Sequence, residues 1–196
     1  MILPGDIIKE FVDQGLISVL PKFDEKQLRP FGLRVHLSSR LLVPEGGQLV
    51  DLSKSEPSEP RYMPHLLDHE PIKLKPGDFV LGSTIEAFKI SPTLMCKLDG
   101  RSTLARLGLM VHCTSSIIDG NHLEHRTIVV EMKNLGSFDI LLPFGIGIGM
   151  VTFERVVGEA SLRLEQEQYE GQTDVLPANL QFRVPRYSGL ENDDNI

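Results

Sequence analysis

The sequence is organised around Asp99-Gly100-Arg101-Ser102-Thr103-Leu104-Ala105-Arg106-Leu107-Gly108-Leu109, where two arginines flank two hydroxyl side chains. The first glycine permits a sharp turn, and Ser102 or Thr103 can cap a short helix whose free N–H groups attract an anion. Arg101 adds a planar, permanently charged fork, and Arg106 follows about one and a half helical turns later. The motif predicts a phosphate-binding turn. An amphipathic helix with solvated arginines is the alternative.

The composition is that of a chain long enough to bury a core and too acidic for general nucleic-acid binding. The 196 residues correspond to one domain, or to one domain with appendages, and their formal net charge is −7. Cys96 and Cys113 are the only cysteines, too few for a disulfide framework. No signal-peptide pattern opens the sequence, and no apolar run reaches the ~18 residues of a membrane span. We therefore expect a reduced, soluble, cytoplasmic protein with neither nucleic-acid nor membrane partners.

The apolar pattern predicts one N-terminal helix followed by short strands. Pro4 suits the first turn of a helix over residues 4–14, in which Ile8 and Phe11 share a face. Short strands with regular turn signals between them are typical of an all-β barrel or jelly roll. Residues 53–70 are predicted to be an insertion loop or flap, and residues 91–98 a connection. The predicted strands cover residues 33–43, 48–52, 79–90, 110–118, 127–134, 138–142 and 146–156.

The end of the chain changes character. Residues 159–170 are polar and could form a short helix. Residues 169–173 are predicted to form a flexible segment whose side chains can bind a ligand. The acidic residues 191–196 are expected to fray.

The sequence contains no strong metal or cofactor motif. His65 and His69 are four residues apart, but no third ligand is nearby, and Pro64 argues against a continuous helix there. The glycines of Gly145-x-Gly147-x-Gly149 lack the spacing of a dinucleotide-binding fold and predict close strand packing. A zinc deaminase signature with Cys-x-x-Cys is also missing, so we expect any activation of water to proceed without zinc.

A single carboxylate stands out in Thr127-Ile128-Val129-Val130-Glu131-Met132-Lys133. Strand alternation places Glu131 on the face of Thr127 and Val129, among β-branched residues that would partly bury it. Burial would raise the pKa of Glu131 and a nearby Arg106 would lower it, a balance that suits a group that takes and returns a proton. The alternative is a structural glutamate paired with a surface lysine such as Lys133.

Several blocks of sequence match the pattern of one family. They are Phe79-Val80-Leu81-Gly82-Ser83-Thr84-Ile85-Glu86, the Gly100–Leu109 part of the arginine motif, and Ile128-Val129-Val130-Glu131 with Asn134. Met1-Ile2-Leu3 and Tyr169-x-Gly171-Gln172 also fit. Together these blocks resemble the dCTP deaminase family, which belongs to the trimeric dUTPase superfamily.

The resemblance implies a distorted β-barrel, a jelly roll of the dUTPase type with a few short helices. It also implies a homotrimer with active sites between subunits. Residues 1–158 would form the barrel domain, and residues 159–196 would form a C-terminal tail that closes over the active site. The implied activity, within pyrimidine deoxynucleotide metabolism, is zinc-independent hydrolysis of dCTP to dUTP and ammonia. Its ligand is a deoxycytidine nucleotide, with Mg²⁺ bound to the phosphates.

The resemblance also implies roles for individual residues. Glu131 would activate water for attack on cytosine C4 and then carry the proton to the ring nitrogen and the departing ammonia. Ser102 and a backbone carbonyl near Ser115 would position the water, and Arg106 would orient Glu131 and counter its charge. The remaining implied substrate contacts are Arg101 and Thr103 at the phosphates, Asp119 at the sugar, and Val129, Val130, Gln168, Tyr169 and Gln172.

The sequence departs from the family pattern mainly around the substrate. The segment 119–126 is longer than the family's Asp-Pro-Gly loop and lacks its proline, and Gly32-Leu33-Arg34-Val35 loses a carboxylate. Gln168 replaces the usual lysine before the tail tyrosine. Two alternatives therefore stay open: a dUTPase or bifunctional deaminase and diphosphatase in which Asp119 activates water, and a non-catalytic nucleotide-binding regulator on the same fold.

Overall fold

Two antiparallel β-sheets enclose the core of the computed structural model, which describes residues 1–54, 57–67, 70–119, 124–159, 169 and 172–180. The α-helices are α1 (Gly5–Asp13) and α2 (Ser102–Arg106), and a 3₁₀ turn covers Glu25–Gln27. The strands are β1 (Ile17–Leu20), β2 (Leu28–Arg29), β3 (Gly32–His36), β4 (Arg40–Pro44), β5 (Tyr62–Leu66), β6 (Ile72–Leu74), β7 (Phe79–Ile90), β8 (Leu94–Gly100), β9 (Leu109–Met110), β10 (Ile117–Ile118), β11 (Arg126–Asn134), β12 (Ile140–Leu142) and β13 (Gly147–Arg155).

Helix α1 packs one apolar face against the sheets. Pro4 occupies its N-cap position, and helical spacing buries Ile8 and Phe11 on the same side. Gly15 follows the helix with φ +73°, a conformation that glycine adopts without a steric penalty. The helix predicted over residues 4–14 is confirmed. Within the described parts of the chain, no helix is long and apolar enough to cross a membrane.

The sheets are open and mostly built from strands distant in sequence. The first sheet has the order β5-β4-β7-β11-β9, and β1 pairs with the second half of β7. The second sheet has the order β10-β8-β13-β3-β2, while β12 and β6 form a separate ribbon. The predicted all-β class with a few short helices is confirmed, and the strands that the structure describes do not close into a barrel.

The core lies between the two sheets. Strand β11 contributes Ile128, Val130 and Met132, every second residue along the strand. Phe88 of β7 and Phe153 of β13 meet across the core with ring centroids 6.2 Å apart. Such an aromatic contact adds about 1 kcal/mol beyond its buried area. Since one face of β11 is committed to this core, its other face is free for functional side chains.

The chain crosses between the sheets at two places where the sequence predicts one continuous strand. Residues 33–43 divide into β3 and β4, and residues 110–118 divide into β9 and β10. In each case one strand belongs to the first sheet and the other to the second. The local apolar pattern continues through the crossing because both sheets face the same core, so the pattern alone does not reveal the bend.

Two other segments were assigned wrongly from the sequence. Residues 48–52 do not return beside β4, because Leu49 and Leu52 are exposed and β5 takes that position from within the predicted 53–70 loop. Residues 91–98 are not a connection, because β8 begins at Leu94. The alternation of buried residues in β8 is present in the sequence, but the turn signal at Ser91-Pro92 immediately precedes it.

Candidate active site

Glu131 lies on the face of β11 that the core does not use. Its neighbours Val130 and Met132 are fully buried, whereas Glu131 and Val129 point to the opposite side and are half-buried. This placement follows from the two-residue period of a strand. The sequence prediction that Glu131 shares a face with Thr127 and Val129 and is partly buried there is therefore confirmed.

The Glu131 carboxylate is held on one side by the backbone that follows β9. The Cys113 N–H donates to Glu131 Oε2 at 3.2 Å, and the Cys113 thiol lies 3.6 Å from the Glu131 carbonyl oxygen. Burial, and then the nearby carboxylate, raise the pKa of the Cys113 thiol above its ordinary value. Among the described residues, Glu131 Oε1 has no hydrogen-bond partner, so one carboxylate oxygen is fixed and the other is available to a ligand.

A cavity of about 590 Å³ opens in front of Glu131. This volume suits a ligand of nucleotide size, and the walls combine apolar side chains with a few polar groups, as small-molecule sites generally do. The sequence-predicted site residues that line the cavity are Ser115, Asp119, Val129, Glu131, Tyr169 and Gln172. The structure thus brings together residues from β11, from the segment before it and from the tail.

The edge of β11 is open along the cavity. On the side away from β7, β11 pairs with β9 only at Lys133 and Asn134. The described strands therefore leave the edge of residues 126–132 without a partner strand on that side. One of its backbone groups, the Thr127 carbonyl, accepts a hydrogen bond from the Gln172 amide at 3.2 Å. Unpaired strand edges offer alternating donors and acceptors, which can recognise the polar edge of a base.

A buried asparagine fixes the end of β11. Asn134 is fully buried, and its side-chain nitrogen donates to the carbonyl oxygens of Leu74 at 3.0 Å and Phe138 at 2.7 Å. Its side-chain oxygen accepts from the Gly136 N–H at 3.0 Å. Because these bonds satisfy a buried amide on three sides, they hold the strand that carries Glu131 in a single position.

The described part of the tail is docked on the first sheet beside the cavity. Val175 is 1% exposed and packs between Leu42 and Leu81. Asp174 Oδ2 pairs with Arg40 Nη1 at 3.1 Å. The Tyr169 hydroxyl accepts from the backbone N–H of a later tail residue at 3.0 Å. The described tail residues therefore lie at the rim of the cavity of their own chain, which Gln172 and Leu176 help to line.

The arginine motif forms a five-residue helix away from the cavity. Leu104 is buried and anchors α2, while Ser102, Thr103 and Arg106 are exposed. The predicted side-chain cap is wrong: Arg101 occupies the N-cap position, and no side chain makes a capping bond there. None of these residues lines the cavity of the same chain.

Two more predicted residues are placed differently from their expected role. The Val130 side chain is 0% exposed and packs into the core, so only its backbone can reach a ligand. Gln168 lies outside the described residues, as do His69 and the predicted helix over residues 159–170 apart from Glu159 and Tyr169.

Several residues that line the cavity were not predicted from the sequence as site residues. Thr127 and Arg126 come from the first part of β11, and Thr127 was predicted to share the Glu131 face but not to belong to the site. Tyr62 comes from β5, which the sequence did not predict as a strand. Burial, and then the neighbouring Tyr169, raise the pKa of Tyr62 above its ordinary value.

The described residues offer no ready-made metal site. They contain no group of three or more histidine, cysteine, aspartate or glutamate side chains able to hold an ion. A hard cation such as Mg²⁺ prefers oxygen ligands and commonly takes several of them from phosphates and water.

Comparisons with known proteins give a consistent result. A family model described as dCTP deaminase-like matches residues 2–156. The "dCTP deaminase, dUMP-forming" of Dictyoglomus thermophilum is 31% identical over 163 residues, which are 82% of this chain and 83% of that protein. The dCTP deaminase of Natronomonas pharaonis is 31% identical over 191 residues, 92% of this chain and 95% of that protein.

A solved structure supports the fold. The 2'-deoxycytidine 5'-triphosphate deaminase from Agrobacterium tumefaciens superposes with a TM-score of 0.61 at 14% identity. The match covers 79% of this chain and 48% of that one, so this chain spans about half the length of the solved structure. At this identity the likeness is one of fold.

Proposed function

Because this chain belongs to the dCTP deaminase-like family, we propose that it hydrolyses the amino group of dCTP and releases ammonia. The observation that carries the proposal is Glu131, a half-buried carboxylate that faces a nucleotide-sized cavity beside an open strand edge. A carboxylate in this setting can act as a general base, while the strand edge binds the pyrimidine.

Glu131 moves protons during the proposed reaction. It takes one proton from a water molecule whose oxygen attacks C4 of cytosine, and this proton passes to the ring nitrogen. The tetrahedral carbon then loses its amino group, which leaves as ammonia after receiving the second proton of the water through Glu131, and a C4 carbonyl forms. The Cys113 N–H at 3.2 Å holds one carboxylate oxygen, so the other is directed at the water.

The site is proposed to be completed by a neighbouring subunit of a homotrimer. Ser102 and Arg106 are exposed and do not line the cavity of their own chain. In a shared site, Arg106 of the next subunit would orient Glu131 and stabilise its negative charge, and Ser102 with a backbone carbonyl near Ser115 would position the water. The exposure of these polar side chains on a short, well-anchored helix supports this arrangement.

The rest of the nucleotide is proposed to bind along the same surface. Asp119, at the rim of the cavity, would contact the sugar, and Gln172 with Tyr169 would close the tail over the ligand. Arg101 and Thr103 would bind the phosphates. Mg²⁺ bound to the phosphates would neutralise part of their charge.

The product can be dUTP or dUMP. We propose dUTP, because deamination requires only Glu131 and its partners. A bifunctional enzyme that also releases diphosphate is the second candidate, since a relative from Dictyoglomus thermophilum is named dUMP-forming and Asp119 stands in the same cavity as Glu131. A carboxylate in that position could activate a second water molecule for attack on a phosphate.

Ammonia release from dCTP and Mg²⁺ tests the activity, with chromatography of the nucleotide products. Wild type is expected to release ammonia with dUTP as product, and Glu131→Gln is expected to lose at least about a hundredfold in rate. The appearance of dUMP and diphosphate would establish the bifunctional reaction, and Asp119→Asn would then abolish dUMP but not ammonia. Tight nucleotide binding without any turnover would instead support a regulator.

We propose a cytoplasmic location, where deoxynucleotides are used.

A further inference from the structure

Two arginine side chains converge on one glycine of β13. We propose that Arg34 joins Arg101 in binding the phosphates of the nucleotide. The identity of the ligand rests on the proposed function. The anion site itself does not depend on deamination, because it is formed by groups other than Glu131.

Gly147 is the point where the two side chains meet. A Cβ atom added to Gly147 would lie 3.1 Å from Arg101 Nη1 and 3.2 Å from Arg34 Cδ. Arg101 Nη1 also donates to the Gly147 carbonyl at 2.9 Å. The absence of a side chain at this position therefore leaves room for two guanidinium-bearing chains, which a larger residue would push apart.

Strand register places Arg34 on the same side of the second sheet as the start of the arginine motif. Arg34 of β3 is opposite Met150 of β13, and Met150 is opposite Asp99 of β8. Residues directly opposite in an antiparallel sheet point to the same face. Arg34 thus reaches Gly147 from one strand, while Arg101 reaches it from the end of another.

No acidic side chain neutralises this pair of arginines. In the described part of the chain, no ion pair includes Arg34 or Arg101. The nearest acidic residue in the register, Asp99, is directed to His112 Nε2 at 3.6 Å and to the Gly100 N–H at 2.8 Å. Two positively charged side chains that meet at one glycine, Arg101 through Nη1 and Arg34 through Cδ, repel each other, and a bound anion would remove that repulsion.

The chemistry of the pair favours a phosphate chain as the anion. Each guanidinium is planar, and its N–H donors have a fixed arrangement that matches the oxygens of a phosphate. It also stays charged at any physiological pH. One guanidinium can hold a single phosphate, whereas two arginines whose side chains meet at Gly147 match the several charges of a di- or triphosphate. In a chain with a net charge of −7, this local excess of positive charge would also attract such a ligand.

The test measures binding in the Glu131→Gln background, where no turnover is expected to interfere. Inorganic tripolyphosphate, dCTP and dCMP are titrated calorimetrically into this protein with and without Arg34→Gln. Arg29→Gln is the matched control, because Arg29 is a half-buried arginine on the neighbouring strand β2 that makes no contact with Gly147.

Arg34→Gln is expected to weaken tripolyphosphate and dCTP binding about tenfold and dCMP binding less than about threefold. The control should leave all three unchanged. Equal affinities in Arg34→Gln and its parent would overturn the inference, as would an equal loss for dCTP and dCMP. If Arg34→Gln does not fold, Gly147→Ala decides, because it keeps both arginines but fills the space between them. Unchanged tripolyphosphate binding in that variant would refute the site.

Failure of this inference can be distinguished from failure of the proposed function. A wild-type chain that binds tripolyphosphate through Arg34 but never releases ammonia from dCTP would contradict the deaminase and leave the anion site intact. A chain that deaminates dCTP with the same KM in wild type and Arg34→Gln would contradict the anion site alone.

Discussion

Two inactive variants are expected to regain activity when their subunits are mixed. Glu131 lines the cavity of its own chain, whereas Arg106 is exposed and lies outside that cavity. If each active site takes Glu131 from one subunit and Arg106 from the next, Glu131→Gln and Arg106→Ala damage different halves of the site. Each variant alone should lose at least about a hundredfold in rate.

The magnitude of the recovery follows from the geometry of a cyclic trimer. In any trimer that contains both variants, one site of the three receives an intact glutamate and an intact arginine. Random mixing in equal amounts therefore restores about one quarter of the wild-type sites. Ammonia release from dCTP by co-expressed subunits should reach about a quarter of the wild-type rate, well above either parent.

A second mixture serves as the control. Glu131 comes from the same position in every subunit, so Glu131→Ala mixed with Glu131→Gln should give no recovery, because no site then receives an intact glutamate. Absence of recovery in the Arg106 mixture, from subunits shown to associate by sequential purification on two tags, would refute the shared site. A monomeric mass at micromolar concentration would refute it as well.

Three further predictions concern the tail, the end of β11 and a thiol. Val175→Ala removes two methyl groups from a side chain that is 1% exposed, a loss of about 1.6 kcal/mol. The rate of proteolysis within residues 172–180 should then rise about tenfold. The control Val157→Ala changes an exposed valine and should leave that rate unchanged. Equal cleavage rates in the two variants would contradict the docking. Asn134→Ala leaves three backbone groups without their partner. Urea titration should therefore show a free energy of unfolding that is lower by about 2–4 kcal/mol, and a decrease of less than about 1 kcal/mol would contradict this role. Burial and Glu131 raise the pKa of the Cys113 thiol, so its alkylation by iodoacetamide should accelerate only at pH values above the ordinary thiol range. Glu131→Gln removes one of these causes and lowers that pKa, so alkylation at pH 8 should become faster; an unchanged rate would contradict the contact.

The long strands could be predicted from the sequence because their signal is local. The strand predicted over residues 79–90 has those same bounds in β7, and β11 and β13 begin and end within one residue of their predictions. Alternation along each strand determines which side chains face a core, whatever the partner strands are. The orientation of Glu131 away from the core was predictable for the same reason.

Strand partners and crossings could not be predicted in this way. β5 pairs with β4 across a long connection, and residues 33–43 leave one sheet to join the other. Pairing is decided by contacts between residues far apart in sequence, whose energies a local pattern does not contain. The short helix α2 illustrates the same limit. The motif predicted a helix start capped by Ser102 or Thr103, but no side chain caps α2. Arg101 donates instead to the carbonyl of Gly147, which is distant in sequence.

The sequence by itself determined the all-β class, the orientation of Glu131 and, through the family resemblance, six of the residues that line the cavity. Only the tertiary structure decided that Tyr62 lies among them, that Val175 docks the tail, and that Arg34 and Arg101 meet over Gly147. The physical reason is that side-chain direction depends on a residue's immediate neighbours, whereas a cavity or a pair of charges depends on which distant strands and loops the whole core brings together.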